Sequence, residues 1–369
     1  MIMLLVFSFV ACSPSIDSPG HFIDEAANRF GGQVSGMSIK VFTGDRILFE
    51  NFYGYANEAE DLVIDSDTVF KWGSITKSLV WISVLQLSEQ GKLDLHTGIR
   101  AYIPNNFLPD LKYPTTTYNL MTHSSGFLEE DFWISMIASR VQANEDRQQT
   151  IIDFTLRNIE MSQRFKPGDL RGDYSHYNVI LASYIVEQVS GMPFYQYVHN
   201  NIFSRLGMAY SAIRHDLSDN IWVAERLAGQ ACYSSSDRRI EAVCFPIHPP
   251  IYWMGGAIST ISDFYKFAHA LLPTAIYYGD RGAALFEKSE TLFKLHNIME
   301  YEIAAYTDSA NGIVALNGQM CQTATILVDV ERGLGVVVMT NQQAEGFFNR
   351  VTFLREVIDR FYEWGNNYR

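Results

Sequence analysis

The chain has 369 residues, 47% of them hydrophobic, and sets 28 Lys and Arg against 41 Asp and Glu for a formal charge of -13. That apolar share can fill a large core in one domain or two interleaved ones, and it excludes a disordered polypeptide. The negative charge is spread without an acidic tail and repels nucleic-acid phosphates and anionic lipid surfaces, so neither is expected as a partner.

Residues 1–11 form a signal-like segment, apolar from Met1 to Ala11 and too short to span a bilayer as a helix. The run closes on Val10-Ala11-Cys12 before Ser-Pro-Ser, which reads as a processing site with Cys12 as the lipidated residue of a bacterial lipoprotein. The predicted address is the bacterial periplasm or cell envelope, with a membrane tether through Cys12. No Lys or Arg precedes the run, which leaves another secreted form and a buried N-terminal segment as alternatives. Cys232 and Cys244 flank a polar, turn-rich stretch and fit either a pair in an oxidising compartment or two small hydrophobes.

Further along, His21 to Phe30 predicts a helix with Phe22, Ile23, Ala26, Ala27 and Phe30 on one side. GMSIKVF and RILFENFYGYA, parted by Thr43-Gly44-Asp45, predict an antiparallel hairpin. SLVWISVLQLSEQGKL is apolar nearly all round, as a central buried helix would be, and Gly91 ends it. A second helix follows Tyr174 and closes at Gly191. TATILVDVERGLGVVVMTN predicts two strands about Glu331-Arg332-Gly333, and Phe347, Val351, Leu354, Ile358 and Phe361 recur at helical steps. Strand signals at both ends with helices between them predict an α/β fold. Residues 20–73 and 250–369 supply the sheet part, residues 74–249 form a mainly helical insertion, and a cleft lies between the two.

The stretch FKWGSITKSLVW, Phe70 to Trp81, carries the clearest chemical signal. A spacing of three puts Ser74 and Lys77 on one helical face, a turn apart. Gly73 allows close backbone approach, and a serine in the first turn lies beside N–H groups that lack helical partners. A neutral lysine amine can take the serine proton when a dry pocket or nearby cations bring it below its usual value of about 10.4. A capping serine with a solvent lysine has the same spacing, and the pair alone does not choose. The nine histidines are scattered, with no His-Glu-x-x-His or Cys-x-x-Cys spacing, so no metal site is expected.

The chain from Gly36 to Asn341 resembles the serine beta-lactamase-like superfamily, in the branch of class C beta-lactamases, D-alanyl-D-alanine peptidases and related esterases. The resemblance runs through DTVFKWGSITKSLVWISVLQLSEQGKLDL, the YIP of Tyr102 to Pro104, and YNLMTHSSGF at Tyr118 to Phe127. It continues in FKPGDLRGDYSHYNVILASYIVEQVSGMPF, IFSRLGM, MGGAISTISDFYKF and LVDVERGLGVVVMTN. It implies an α/β sandwich: an antiparallel sheet from the N- and C-terminal segments, flanked by helices, with a mainly helical region inserted.

By this resemblance Ser74 is the nucleophile and Lys77 its partner. The second motif, Tyr-x-Asn, falls on Tyr174-Ser175-His176, with Tyr174 as the proton shuttle and Tyr177 as the alternative register. His176 replaces the asparagine, either as a substrate-binding group that donates and accepts, or as a residue that has lost the contact. The third motif, Lys-Thr-Gly or His-x-Gly, falls within IVALNGQMCQTATILVD, on Leu316-Asn317-Gly318 or Ala315-Leu316-Asn317. Under either register the basic residue is absent. Gly318 lets the chain pass close to the nucleophile, the Gln319 N–H is the second oxyanion donor beside that of Ser74, and Asn317 is a substrate-binding candidate. His123 reads as a structural histidine holding the Thr122–Gly126 turn.

The expected function is a serine hydrolase working through an acyl-enzyme on an ester or short amide or peptide substrate, without a cofactor, since side chains and amides can do this chemistry. The alternative is a non-catalytic relative that binds a cell-wall peptide or another envelope ligand.

Overall fold

The computed structural model describes residues 19–30, 35–103, 111–129, 163–169, 174–214, 216–233, 252–273, 285–301, 308, 311–319, 322–342 and 347–367. The leader with Cys12, and Cys244 with it, lie outside the described residues, so the structure does not address lipidation or the expected cysteine pair; Cys232 is buried.

Alternation of side chains builds the main sheet. Strands β1 (Gly36–Thr43) and β2 (Ile47–Asn57) form the hairpin expected about Gly44, and β2 continues to a short β3 (Leu62–Val63). From the other end of the chain come β7 (Ile313–Gln319), β8 (Thr323–Asp329) and β9 (Leu334–Thr340). The order is β3-β2-β1-β9-β8-β7, antiparallel throughout, with Ile39 opposite Val338 and Val41 opposite Val336 where the two chain ends meet. A smaller sheet joins β4 (Val69–Lys71), β5 (Ser211–Ala212) and β6 (Ile258–Thr260) in the order β4-β6-β5.

Each face of the six-stranded sheet buries its own set of residues. Ile39, Val41, Ala315, Leu327 and Val336 pack against Ile23 of helix α1 (Pro19–Phe30) and against Leu354, Val357 and Phe361 of a C-terminal helix, Phe347–Asn367. The opposite face carries Phe42, Val314, Leu316, Ile326 and Val337 into a second, larger core shared with the inserted helices. Burying one such aliphatic side chain contributes roughly 1.5–3 kcal/mol, so the two-sided pattern fixes the register strongly. The result is an α/β sandwich whose antiparallel sheet comes from both chain ends and whose helical region is inserted between them.

Helix α2 (Lys77–Glu89) runs through the larger core with every residue from Lys77 to Leu87 buried. Two of its buried polar side chains donate to backbone carbonyls: Ser83 Oγ to Leu79 at 2.7 Å and Gln86 Nε2 to Leu285 at 2.8 Å. Just before it, Trp72 is fully buried, donates from Nε1 to Ser259 Oγ at 2.8 Å, and lies 5.0 and 4.9 Å from the rings of Phe264 and Phe267. This anchor fixes where α2 starts, and so where Ser74 sits. No helix among the described residues is long and apolar enough to cross a membrane.

Candidate active site

Between Trp72 and α2 the chain makes a single 3-10 turn, Gly73–Thr76. Gly73 has φ +55°, and a Cβ there would stand 2.6 Å from the Gln319 backbone nitrogen. A Cβ on Gly318 would lie 1.7 Å from the Trp72 carbonyl oxygen and 3.0 Å from the Ser74 nitrogen. Neither position tolerates a side chain, so the two glycines bring the Ser74 turn and the end of β7 into backbone contact. β7 is the last strand of its sheet, which is why the turn can reach its edge.

Lys77 lies one turn beyond Ser74, wholly buried, and its Nζ donates to Ser74 Oγ at 2.9 Å and to the Met254 carbonyl at 2.7 Å. Tyr174 completes the group: its Oη is 3.3 Å from Ser74 Oγ, and Lys77 Nζ is 5.1 Å from its ring centroid. Tyr177, the alternative in the sequence, is fully buried and packs against Phe127 at 6.0 Å, inside the core.

Tyr174 is held by histidines on two sides. The His123 ring stacks on it at 4.9 Å, and His176 stands edge-on at 5.1 Å. His123, at φ +46°, accepts at Nδ1 from the Ser175 backbone N–H at 3.1 Å and meets Asn178 Nδ2 at 3.0 Å, so its ring proton belongs on Nε2. Asn178 Oδ1 in turn accepts from Ser125 Oγ. His176 opens helix α3 (His176–Ser190), which ends, as expected, on a left-handed Gly191. The Glu129 carboxylate holds His176 twice, at its backbone N–H at 2.9 Å and at ring Nδ1. Burial and then the Lys77 charge hold His176 below the usual imidazole range, against the upward pull of Glu129.

On β7 the side chains alternate. Leu316 and Gly318 face the larger core and the Ser74 turn; Leu316 is 1% exposed. Asn317 is on the other face, where its Oδ1 accepts from Thr325 Oγ1 at 3.0 Å. The Leu316-Asn317-Gly318 alignment is thus the one that sets a glycine against the serine turn.

A family profile described as Beta-lactamase matches residues 23–358. The chain belongs to the beta-lactamase family. This beta-lactamase-family chain is 27% identical over 254 residues to the unguisins hydrolase ungD of Aspergillus violaceofuscus, covering 65% of this chain and 42% of that protein. The chain spans about half the length of the curated relatives it matches. Among solved structures, the octameric penicillin-binding protein homologue from Pyrococcus abyssi aligns with TM-score 0.67 at 22% identity, over 88% of this chain and 73% of that one. A beta-lactamase/D-alanine carboxypeptidase from Pseudomonas syringae aligns with TM-score 0.66 at 18% identity, over 91% and 97%. At these identities the two structures speak for the fold. The family holds serine hydrolases of small substrates alongside members without catalysis.

Within this beta-lactamase fold the structure brings Ser74, Lys77 and Tyr174 together, sets His176 beside Tyr174, and places the backbone of Gly318 and Gln319 against the serine turn. It binds Asn317 to Thr325 instead. Three contacts have no counterpart in the sequence reading: the Met254 carbonyl on Lys77, the His123 stack on Tyr174, and Glu129 on His176. Glu129 is 47 residues from His176 in an ordinary acidic pair, and a backbone carbonyl has no residue signature. The His123 stack had a partial signal, because its turn was already singled out as structural.

Proposed function

We infer that the protein is a serine hydrolase that forms an acyl-enzyme at Ser74 on an ester or a short amide or peptide. The observation that carries this is the placement of Ser74 Oγ 2.9 Å from Lys77 Nζ and 3.3 Å from Tyr174 Oη. In this reading Ser74 Oγ attacks the carbonyl carbon as its proton passes to the Lys77–Tyr174 pair. The backbone N–H groups of Ser74 and Gln319 stabilise the oxyanion, with Gly318 keeping the strand close. Collapse breaks the bond to the leaving alkoxide or amine, which takes the proton by way of Tyr174. Water then attacks the acyl carbon, gives up its proton to the same pair, and Ser74 is regenerated.

Leu316, buried where relatives carry a cation, favours substrates without a carboxylate at that end. We assign His176 to the substrate side of Tyr174, and Asn317 as a contact only for a ligand that displaces Thr325. The envelope is the proposed location, with Cys12 as the tether. The same leucine favours a second reading, a non-catalytic binder of a cell-wall peptide.

Mass spectrometry after incubation with a fluorescent penicillin or an alkyl fluorophosphonate separates the two. An adduct on the wild type that is absent from Ser74→Ala is the expected result. No adduct with either probe, together with no hydrolysis of p-nitrophenyl esters, would leave the binder.

A further inference from the structure

The acyl-transfer reading leaves Glu129 without a part. At the first residue of α3 the backbone N–H groups have no helical partners and the helix dipole favours an anion, which accounts for the bond from the His176 N–H to Glu129 Oε2 at 2.9 Å. It does not account for the second bond. The other oxygen, Oε1, is drawn onto His176 Nδ1, so one carboxylate fixes both the helix start and the orientation of the imidazole. That imidazole is 5.1 Å from the Tyr174 ring at 86°, while Tyr174 itself lies 3.3 Å from the nucleophile.

Resting on the acyl-transfer reading, the geometry points to Glu129 and His176 as a carboxylate–imidazole pair of positioning residues, holding the ring by its Nδ1 proton edge-on against Tyr174. A carboxylate only accepts, so the ring nitrogen facing it carries the proton and Nε2 carries the lone pair. The family's asparagine has an amide that donates and accepts without titrating. Here the same place is taken by a group whose charge depends on pH.

Among the described residues, the titratable and charged groups that act on His176 include Lys77 from α2, His123 from the Thr122–Gly126 turn, Glu129, and Tyr174 from its own segment. Burial and the Lys77 charge favour the neutral ring, His123 adds to them, and Glu129 opposes them, with a net displacement downward. The ring therefore takes up its charge at lower pH than a free imidazole does. On acidification it gains a charge beside Tyr174, which stabilises the phenolate, weakens it as a base and slows acylation. Since Glu129 raises the acidity constant's midpoint, removing its charge moves the acid limb of the rate profile to lower pH.

The test is the pH profile of kcat/KM for p-nitrophenyl acetate in the full chain, with wild type, Glu129→Gln, His176→Asn and Ser74→Ala, paired with the ring carbon NMR shifts of His176. Glu129→Gln keeps an acceptor for the backbone N–H, so the helix start is retained. The expected results are an Nδ1-protonated neutral ring in the wild type and an acid limb lowered by about half a pH unit or more in Glu129→Gln. His176→Asn should lose that limb, with kcat at its plateau changed about tenfold or less. An acid limb that stays put in both variants overturns the positioning role. A ring charged at pH 7, or protonated on Nε2, overturns the pair whether or not the protein turns over. Absence of Ser74-dependent hydrolysis with the expected ring state removes the acyl-transfer reading and leaves the pair standing as a structural one.

Discussion

Position 316 holds a buried leucine, and the proposed alignment of the third motif makes a prediction there. Leu316 shares its strand face with Gly318, which touches the Ser74 turn, so in the proposed alignment a polar side chain at 316 stands on the face that meets that turn. Leu316→His is expected to raise ester hydrolysis by about tenfold, the low side of what a positioned proton donor contributes, while lowering thermal stability through the buried polar ring. Initial rates with several p-nitrophenyl esters check this, and unchanged rates with every ester reject the register. Tyr174→Phe removes the hydroxyl near Ser74 while keeping the His123 stack, and kcat/KM should fall roughly a hundredfold with little change in melting temperature. The pairing of Ser74 with Lys77 was legible because helical spacing encodes it, whereas Tyr174 was named by the family resemblance alone. Glu129 was not, because its meeting with His176 is made by tertiary folding across 47 positions.

The decisive element is the end of β7. Its hydrophobic alternation is plain in the sequence, yet the contact of Gly318 with Trp72 depends on how the edge of one sheet meets the start of α2. Gly318→Ala would put a methyl group 1.7 Å from the Trp72 carbonyl, so the strand end or the turn must move. The expected cost is about 1–3 kcal/mol by denaturant unfolding, with a further loss of hydrolysis of 100-fold or more as the Gln319 amide leaves its place. Full activity in this variant would remove Gln319 from the proposed oxyanion site. Helix Ser289–Met299 permits a pH prediction of a different kind. Its His296 is buried, donates to the Leu271 carbonyl at 3.0 Å, and is pushed by burial from 6.5 down to about 4. The unfolded chain therefore takes up this proton first as pH falls. Stability is fully present above about pH 6.5 and is lost toward pH 4, by roughly 3 kcal/mol. In His296→Gln, which keeps a donor for Leu271, urea unfolding at pH 7 and 4.5 should show a smaller difference; an equal difference would reject the assignment.

At the scale of the whole molecule, the proposed envelope location makes a lipid on Cys12, at the end of the apolar leader, the membrane tether. Cys12→Ala should move the protein from the membrane pellet to the supernatant and abolish incorporation of labelled palmitate. Label or pelleting that persists in the variant would exclude Cys12 as the tether.

Composition, apolar periodicity and motif order were enough to determine the class of fold, the hairpins at both chain ends and the buried central helix. Each is written in residues close together or in a repeated pattern that one-dimensional spacing preserves. The tertiary structure alone decided which alignment of the third motif places glycine against the nucleophile, which carbonyl holds Lys77, and which carboxylate holds His176. Those contacts join distant segments through backbone atoms and packing directions, and neither leaves a mark in the identity of the residues involved.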